Sequence, residues 1–250
     1  MIFLLGHRGF VGSAIAKYLG KNNVDFTGID RENYNSFAGK KCDIFINAGG
    51  SSKKRLADQD PKKDFELNVL STLNTVLDFK FKKYILVSSV EVYNDVFNPI
   101  NNKEDKEIDP NKLSNYGFSK WLCEQIVKKN CKNWLIFRLG GMVGSGIKKN
   151  AIFDLMNSGS LFVSPKSEYQ YINTDDVARF IYLLRNRKNE IFNLCGSGTI
   201  TLEDVAKHMG KNLNRNLYKL RKEIYNINIM KIKKIGKIPE TKETIFKFVD

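Results

Sequence analysis

Three glycines in seven residues, Gly6-His7-Arg8-Gly9-Phe10-Val11-Gly12, join an apolar run at residues 1–5 to a stretch with apolar residues at helical spacing, 10–19. Few folds accommodate that arrangement. A short continuous apolar run reads as a buried strand, and the glycines as a tight strand-to-helix turn. In such a turn the first glycine admits the sharp bend. The second lets backbone N–H groups approach a pyrophosphate, and the third allows close helix packing. The helix N-terminus then favours anionic phosphates. The expectation is a dinucleotide site whose phosphate loop includes Gly6, Arg8, Gly9, Phe10, Val11 and Gly12.

Further along, the pattern keeps alternating. Strands are expected over 24–29, 42–46, 84–87, 134–137 and 191–194, and helices over 65–79, 113–129, 177–184 and 201–208. Strand–helix alternation argues an α/β fold, a doubly wound parallel sheet of the Rossmann type. Residue 47 follows residue 30 by only 17 positions, so a helix between the second and third strands is expected to be lost. The stretch 211–237 is strongly basic without a clean period.

Composition enters through charge. The 250 residues carry a net charge of +14, which suits either a nucleic-acid binder or a lysine-rich enzyme. Lysines are spread along the whole chain and no aromatic RNA-binding signature accompanies them, which favours the enzyme. No apolar run reaches the ~18 residues of a transmembrane helix, and residues 1–5 lack the features of a signal peptide. Cys42, Cys123, Cys131 and Cys195 show no paired spacing and only His7 and His208 accompany them, so neither a zinc site nor a disulfide framework is expected. A cytoplasmic protein with reduced thiols is the resulting expectation.

Asp30 closes the second strand, about 20 residues beyond the glycine loop, where a carboxylate accepts hydrogen bonds from the adenosine ribose. That suits NAD. Arg31 and Arg8 stand nearby in sequence and could neutralise the 2′-phosphate of NADP, so both cofactors stay open. Tyr116 and Lys120 lie four residues apart on one helix face. A neighbouring ammonium and an oxidised nicotinamide both favour phenolate, so Tyr116 is a candidate acid/base, with Lys120 beside it. Ser89, at the end of a strand, is placed to donate a hydrogen bond to a substrate oxygen.

These motifs in this order resemble the extended short-chain dehydrogenase/reductase family, the nucleotide-sugar epimerases, dehydratases and reductases, and the glycine loop is similar to that of the GDP-fucose synthases. The resemblance implies that Ser89, Tyr116 and Lys120 are catalytic and that Asn47, Ala48, Gly49 and Asn68 border the cofactor. It makes Glu91 a second acid/base candidate that also meets substrate, a reading that competes with that of a surface carboxylate. Val90 stands where the dehydratases pair that Glu with an Asp, which argues against dehydration. Gly141 and Tyr169 occupy substrate positions where family members often carry Asn and Arg. The implied activity is NAD(P)-dependent hydride transfer on a nucleotide-activated keto sugar, by a reductase or epimerase. A reductase of a non-nucleotide carbonyl compound and a non-catalytic NAD(P)- or RNA-binding relative are the alternatives. The implied division is a dinucleotide-binding domain over 1–144 and 171–195 and a small substrate lobe over 145–170 and 196–250. The family's usual dimer surface falls on the helices over 65–79 and 113–129, which makes a homodimer an expectation.

Overall fold

The computed structural model describes residues 1–157 and 161–250; positions 158–160 of the expected lobe segment lie outside the described residues. The strands are β1 (Ile2–Leu5), β2 (Phe26–Ile29), β3 (Lys41–Asn47), β4 (Lys80–Ser89), β5 (Trp134–Leu139), β6 (Gly141–Val143), β7 (Glu168–Tyr169), β8 (Tyr171–Asn173), β9 (Glu190–Leu194) and β10 (Ile200–Thr201). The helices are α1 (Phe10–Lys21), α2 (Tyr34–Phe37), α3 (Lys54–Gln59), α4 (Pro61–Phe65), α5 (Ser71–Asp78), α6 (Asn115–Asn130), α7 (Ala151–Asn157), α8 (Thr174–Leu184), α9 (Leu202–His208), α10 (Met230–Lys233) and α11 (Thr241–Val249). A π-helical stretch, Glu66–Leu70, joins α4 to α5.

Six strands form the main sheet in the order β2-β1-β3-β4-β5-β9, with every pairing from β2 to β5 parallel. The Rossmann-type α/β expectation is met. Register decides where function can sit. Leu5 pairs with both Ile29 and Asn47, so Gly6, Asp30 and Ala48 leave the sheet side by side. Ligands of parallel sheets bind at this carboxyl edge.

The chain divides into two compact units. The first comprises Met1–Asn94, Glu107–Leu139 and Asp175–Phe192. Its core gathers Phe3, Phe45, Phe79 and Tyr84 on one side of the sheet, with the Phe45 and Tyr84 rings stacked at 5.3 Å. The second comprises Asp95–Lys106, Gly140–Thr174 and Asn193–Asp250. It packs Val143, Ile152, Leu155, Tyr171, Leu202, Val205 and Ile245 together and carries the short pairs β6-β8, parallel, and β7-β10, antiparallel. Buried Asn193 there donates to the Asn102 and Asn228 carbonyls, both at 2.9 Å, which satisfies loops that have no strand partners.

Local differences from the sequence reading have identifiable causes. β2 begins at Phe26 because the Val24 N–H closes the end of α1 on the Leu19 carbonyl, with Asn23 at φ 53°. The helix expected over 65–79 starts earlier, at Pro61: Asp60 caps it by accepting from the Lys63 N–H at 2.9 Å, and proline suits the first helical position. Between β2 and β3 a single turn, α2, survives where loss of the whole helix is expected. Among the described residues no helix is long and apolar enough to cross a membrane, and no three His, Cys, Asp or Glu side chains group as metal ligands.

Candidate active site

The glycine loop is built by close approach. Gly6 has φ +76°, and a Cβ there would lie 2.8 Å from the Ala48 carbonyl oxygen. A Cβ on Gly12 would overlap the Gly6 carbonyl oxygen, so α1 can start this near the strand end only with glycine at that position. Gly9 is the N-cap of α1 and provides no side-chain cap, and no acidic residue stands in the first turn. The opening N–H groups of a 12-residue helix are therefore left for an external acceptor, which fits a bound pyrophosphate. Phe10 and Val11 form the first turn of that helix.

At the end of β2, Asp30 has two tasks. Its Oδ1 accepts from the backbone N–H of Glu32 at 2.9 Å and of Asn33 at 3.2 Å, forming a turn. Its Oδ2 pairs with Arg8 Nη2 at 3.3 Å, and Arg8 also reaches Glu32 at 3.4 Å. The loop arginine is thus held over two carboxylates. Arg31 is exposed.

Asn47 and Asn68 are buried, and their amides are engaged inside the protein. Asn47 Nδ2 donates to the Tyr84 hydroxyl at 2.8 Å, and its Oδ1 accepts from the Gly49 N–H at 3.0 Å. Asn68 Oδ1 accepts from the Ser51 N–H at 3.1 Å, and its Nδ2 donates to Asp64 at 2.9 Å. Both asparagines shape the loop that carries Ala48 and Gly49 past the strand ends.

Ser89, Glu91 and Tyr116 come together around the start of α6. Ser114 caps that helix by accepting from the Gly117 N–H at 3.1 Å. A Cβ on Gly117 would run into the Glu91 carbonyl oxygen, so glycine lets the helix seat directly on the Ser89–Glu91 turn. Tyr116 is buried and hydrogen-bonded to the Ser89 side chain. Burial pushes its phenol well above the ordinary tyrosine range. The Ser89 hydrogen bond and the Lys54 ammonium act downward, while the Glu91 and Asp64 carboxylates act upward. Lys120, also buried, directs its ammonium to the Val87 carbonyl at 3.1 Å.

Lys54, from the loop-borne helix α3, is a further cation acting on the Tyr116 phenol, beside the Lys120 that the sequence reading expects. Lys54 Nζ forms an ion pair with Glu91 Oε1 at 2.5 Å. Sequence reasoning missed Lys54 and Asp64, because neither sits in a recognisable motif. It also missed the buried Arg138–Glu124 pair, bidentate at 2.9 and 2.7 Å, to which Ser88 adds a hydrogen bond at 2.7 Å. An arginine midway along an apolar strand is the one signal that could have found it.

The remaining predicted substrate residues belong to the second unit. Gly141 starts β6, and a Cβ there would press on the Gln170 carbonyl and the Tyr171 ring, which accounts for its glycine by packing. The Tyr169 hydroxyl donates to Glu223 at 2.8 Å and its ring stacks on Tyr225 at 5.4 Å.

Known proteins agree on the frame and differ in their reactions. The chain is 26% identical to a Methanocaldococcus jannaschii protein assigned as a UDP-glucose 4-epimerase, over 83% of this chain and 82% of that one. It is 27% identical to the dTDP-D-glucose 4,6-dehydratase of Dictyostelium discoideum, over 82% of this chain but only 60% of the relative's length. In structure it is similar to the dTDP-4-dehydrorhamnose reductase of Bacillus anthracis, solved with NADP, at a TM-score of 0.81 and 15% identity, covering 99% of this chain and 96% of the other. The profile of the NAD dependent epimerase/dehydratase family matches residues 2–195, from β1 through the end of the main sheet, and the chain belongs to that family.

Proposed function

We propose that the protein is an NAD(P)-dependent oxidoreductase or epimerase acting on a nucleotide-activated keto sugar, with Tyr116 as the group that moves the proton. The observation that carries this reading is the buried Tyr116 hydroxyl, hydrogen-bonded to Ser89 at the carboxyl edge of the sheet. The bound dinucleotide supplies or accepts hydride. Ser89 then orients the substrate oxygen, and Tyr116 exchanges a proton with it. Lys54 offsets the neighbouring carboxylates when Tyr116 becomes phenolate. The uncapped start of α1 and the glycines around it hold the phosphates, and Asp30 and Arg8 stand where the adenosine ribose is read. The nucleotide-sugar part of the reading is supported by the three relatives, whose names specify UDP- and dTDP-linked sugars.

Replacing Tyr116 with Phe is expected to lower turnover by about 10²–10⁴-fold while leaving dinucleotide binding intact, as read by steady-state kinetics and NADH fluorescence titration. Undiminished turnover would remove Tyr116 from its role.

A second reading, reduction of a carbonyl compound without a nucleotide, draws on the second unit. Gly141 offers no side chain, and the Tyr169 hydroxyl is committed to Glu223. Thermal protection by UDP or dTDP, measured with the dinucleotide site saturated, decides between the two readings, since only a substrate site that takes a nucleotide then gains stability from them.

We also propose a homodimer through the helices around α4–α5 and α6. Phe65, Leu70, Leu77 and Phe118 are exposed there, Leu77 at 68%. Sedimentation velocity is expected to show a dimer that Leu77→Glu converts to monomer.

A further inference from the structure

Asp64, on α4, is 1% exposed. Its Oδ1 accepts from Asn68 Nδ2 at 2.9 Å, but its Oδ2 is buried without a hydrogen-bond partner among the described residues. Burying a carboxylate oxygen unpaired is costly. An apolar side chain of similar volume in such a place is often neutral or stabilising. Core packing therefore gives no reason for an aspartate here.

Its surroundings give one. α4 packs against α6, and the Asp64 charge acts on Tyr116 and on Cys123, three residues beyond Lys120. Two of the other charges around Tyr116 offset each other. Glu91 and Lys54 pair with each other at 2.5 Å, and Lys120 on the same helix donates to the Val87 carbonyl. The Val87 carbonyl is neutral, so Lys120 keeps its charge, and Asp64 is the carboxylate beside the proton-transfer group that forms no ion pair among the described residues.

We propose that Asp64 provides a fixed negative charge that favours the oxidised, cationic nicotinamide ring over the reduced, neutral one. This rests on the oxidoreductase reading above. If Tyr116 exchanges the proton of a hydroxyl, the hydride leaves or reaches the carbon bonded to that oxygen. The ring that exchanges hydride then shares the electrostatic surroundings of Tyr116. Asp64 touches no reacting atom; it is a positioning residue acting through its charge.

The test is a comparison of NAD⁺ and NADH binding, by calorimetry and fluorescence, in the wild type, Asp64→Asn and Asp64→Leu, with the NADP⁺/NADPH pair run alongside. The asparagine keeps an acceptor oxygen for Asn68, and the leucine fills the volume without polarity. The ratio of dissociation constants, oxidised over reduced, is expected to rise about tenfold in both variants, with thermal midpoints equal to or above the wild type. A ratio that does not move, or two constants that move together, overturns the proposal. So does failure of both variants to fold, which would assign the charge to the architecture. A wild type that binds neither form of either dinucleotide overturns the oxidoreductase reading itself.

Discussion

In the proposed mechanism Tyr116 is the residue on which the proton chemistry converges, and charges of both signs act on it. The Glu91 and Asp64 carboxylates disfavour phenolate, and the Lys54 ammonium favours it. The signs predict a pair of opposite shifts. Glu91→Gln removes an anion, so the phenol ionises at lower pH and the basic limb of the pH–rate profile moves down. Lys54→Met removes the cation that favours phenolate, so the same limb moves up. Each shift is expected to be about one pH unit. Two variants that move the limb in the same direction would show that the pair acts by positioning rather than by charge. Asn47 and Asn68 illustrate a different point at this scale. Their places at a strand end and in a helix are readable from the sequence. The direction of their amides, toward Tyr84 and Ser51 inside the protein, depends on partners 37 and 17 residues away.

Among the elements, β4, α6 and β5 are tied by one buried ionic group. Glu124 on α6 takes a bidentate pair from Arg138 on β5 and a hydroxyl from Ser88 on β4, with Arg138 lying 4.7 Å over the Tyr93 ring. The same helix delivers Tyr116 and Lys120. Truncating Glu124 to Ala strands the arginine charge in the core, which is expected to cost about 3–5 kcal/mol. For a chain of this size the thermal midpoint should drop by roughly 10 °C. A melt within two degrees of the wild type would mean the pair carries little of the fold. Elements of this kind divide clearly into legible and illegible. The main sheet was readable chiefly through strands such as β1, β3 and β4, whose apolar runs end at glycine, asparagine or serine. β6, β7, β8 and β10 were not, since two or three residues are too few to show a period. The early start of α4 is written in Asp60-Pro61, a cap followed by a proline at the first helical position, which the sequence reading does not use. The π-helical stretch, which aims Asn68 at Ser51, has no local signature at all.

For the whole molecule, the net charge of +14 finds its place as a field rather than as a motif. A cationic protein that takes dianionic ligands gains encounter rate at low ionic strength and loses it as salt screens the field. The prediction is that kcat/KM falls severalfold between low and physiological salt while kcat changes little, measured with a nucleotide-linked substrate. Equal salt dependence of both would tie the effect to the chemical step. One more consequence lies in how the two compact units are threaded. Ser89, Glu91, Lys54, Asp64, Tyr116 and Lys120 all belong to the first unit, yet that unit is written in three separated stretches, and so is the second. No single backbone cut frees either one, and no single crossover between two related genes exchanges one whole. Variation confined to the second unit therefore has to arise separately in the Asp95–Lys106, Gly140–Thr174 and Asn193–Asp250 stretches, with segments of the first unit passed on between them.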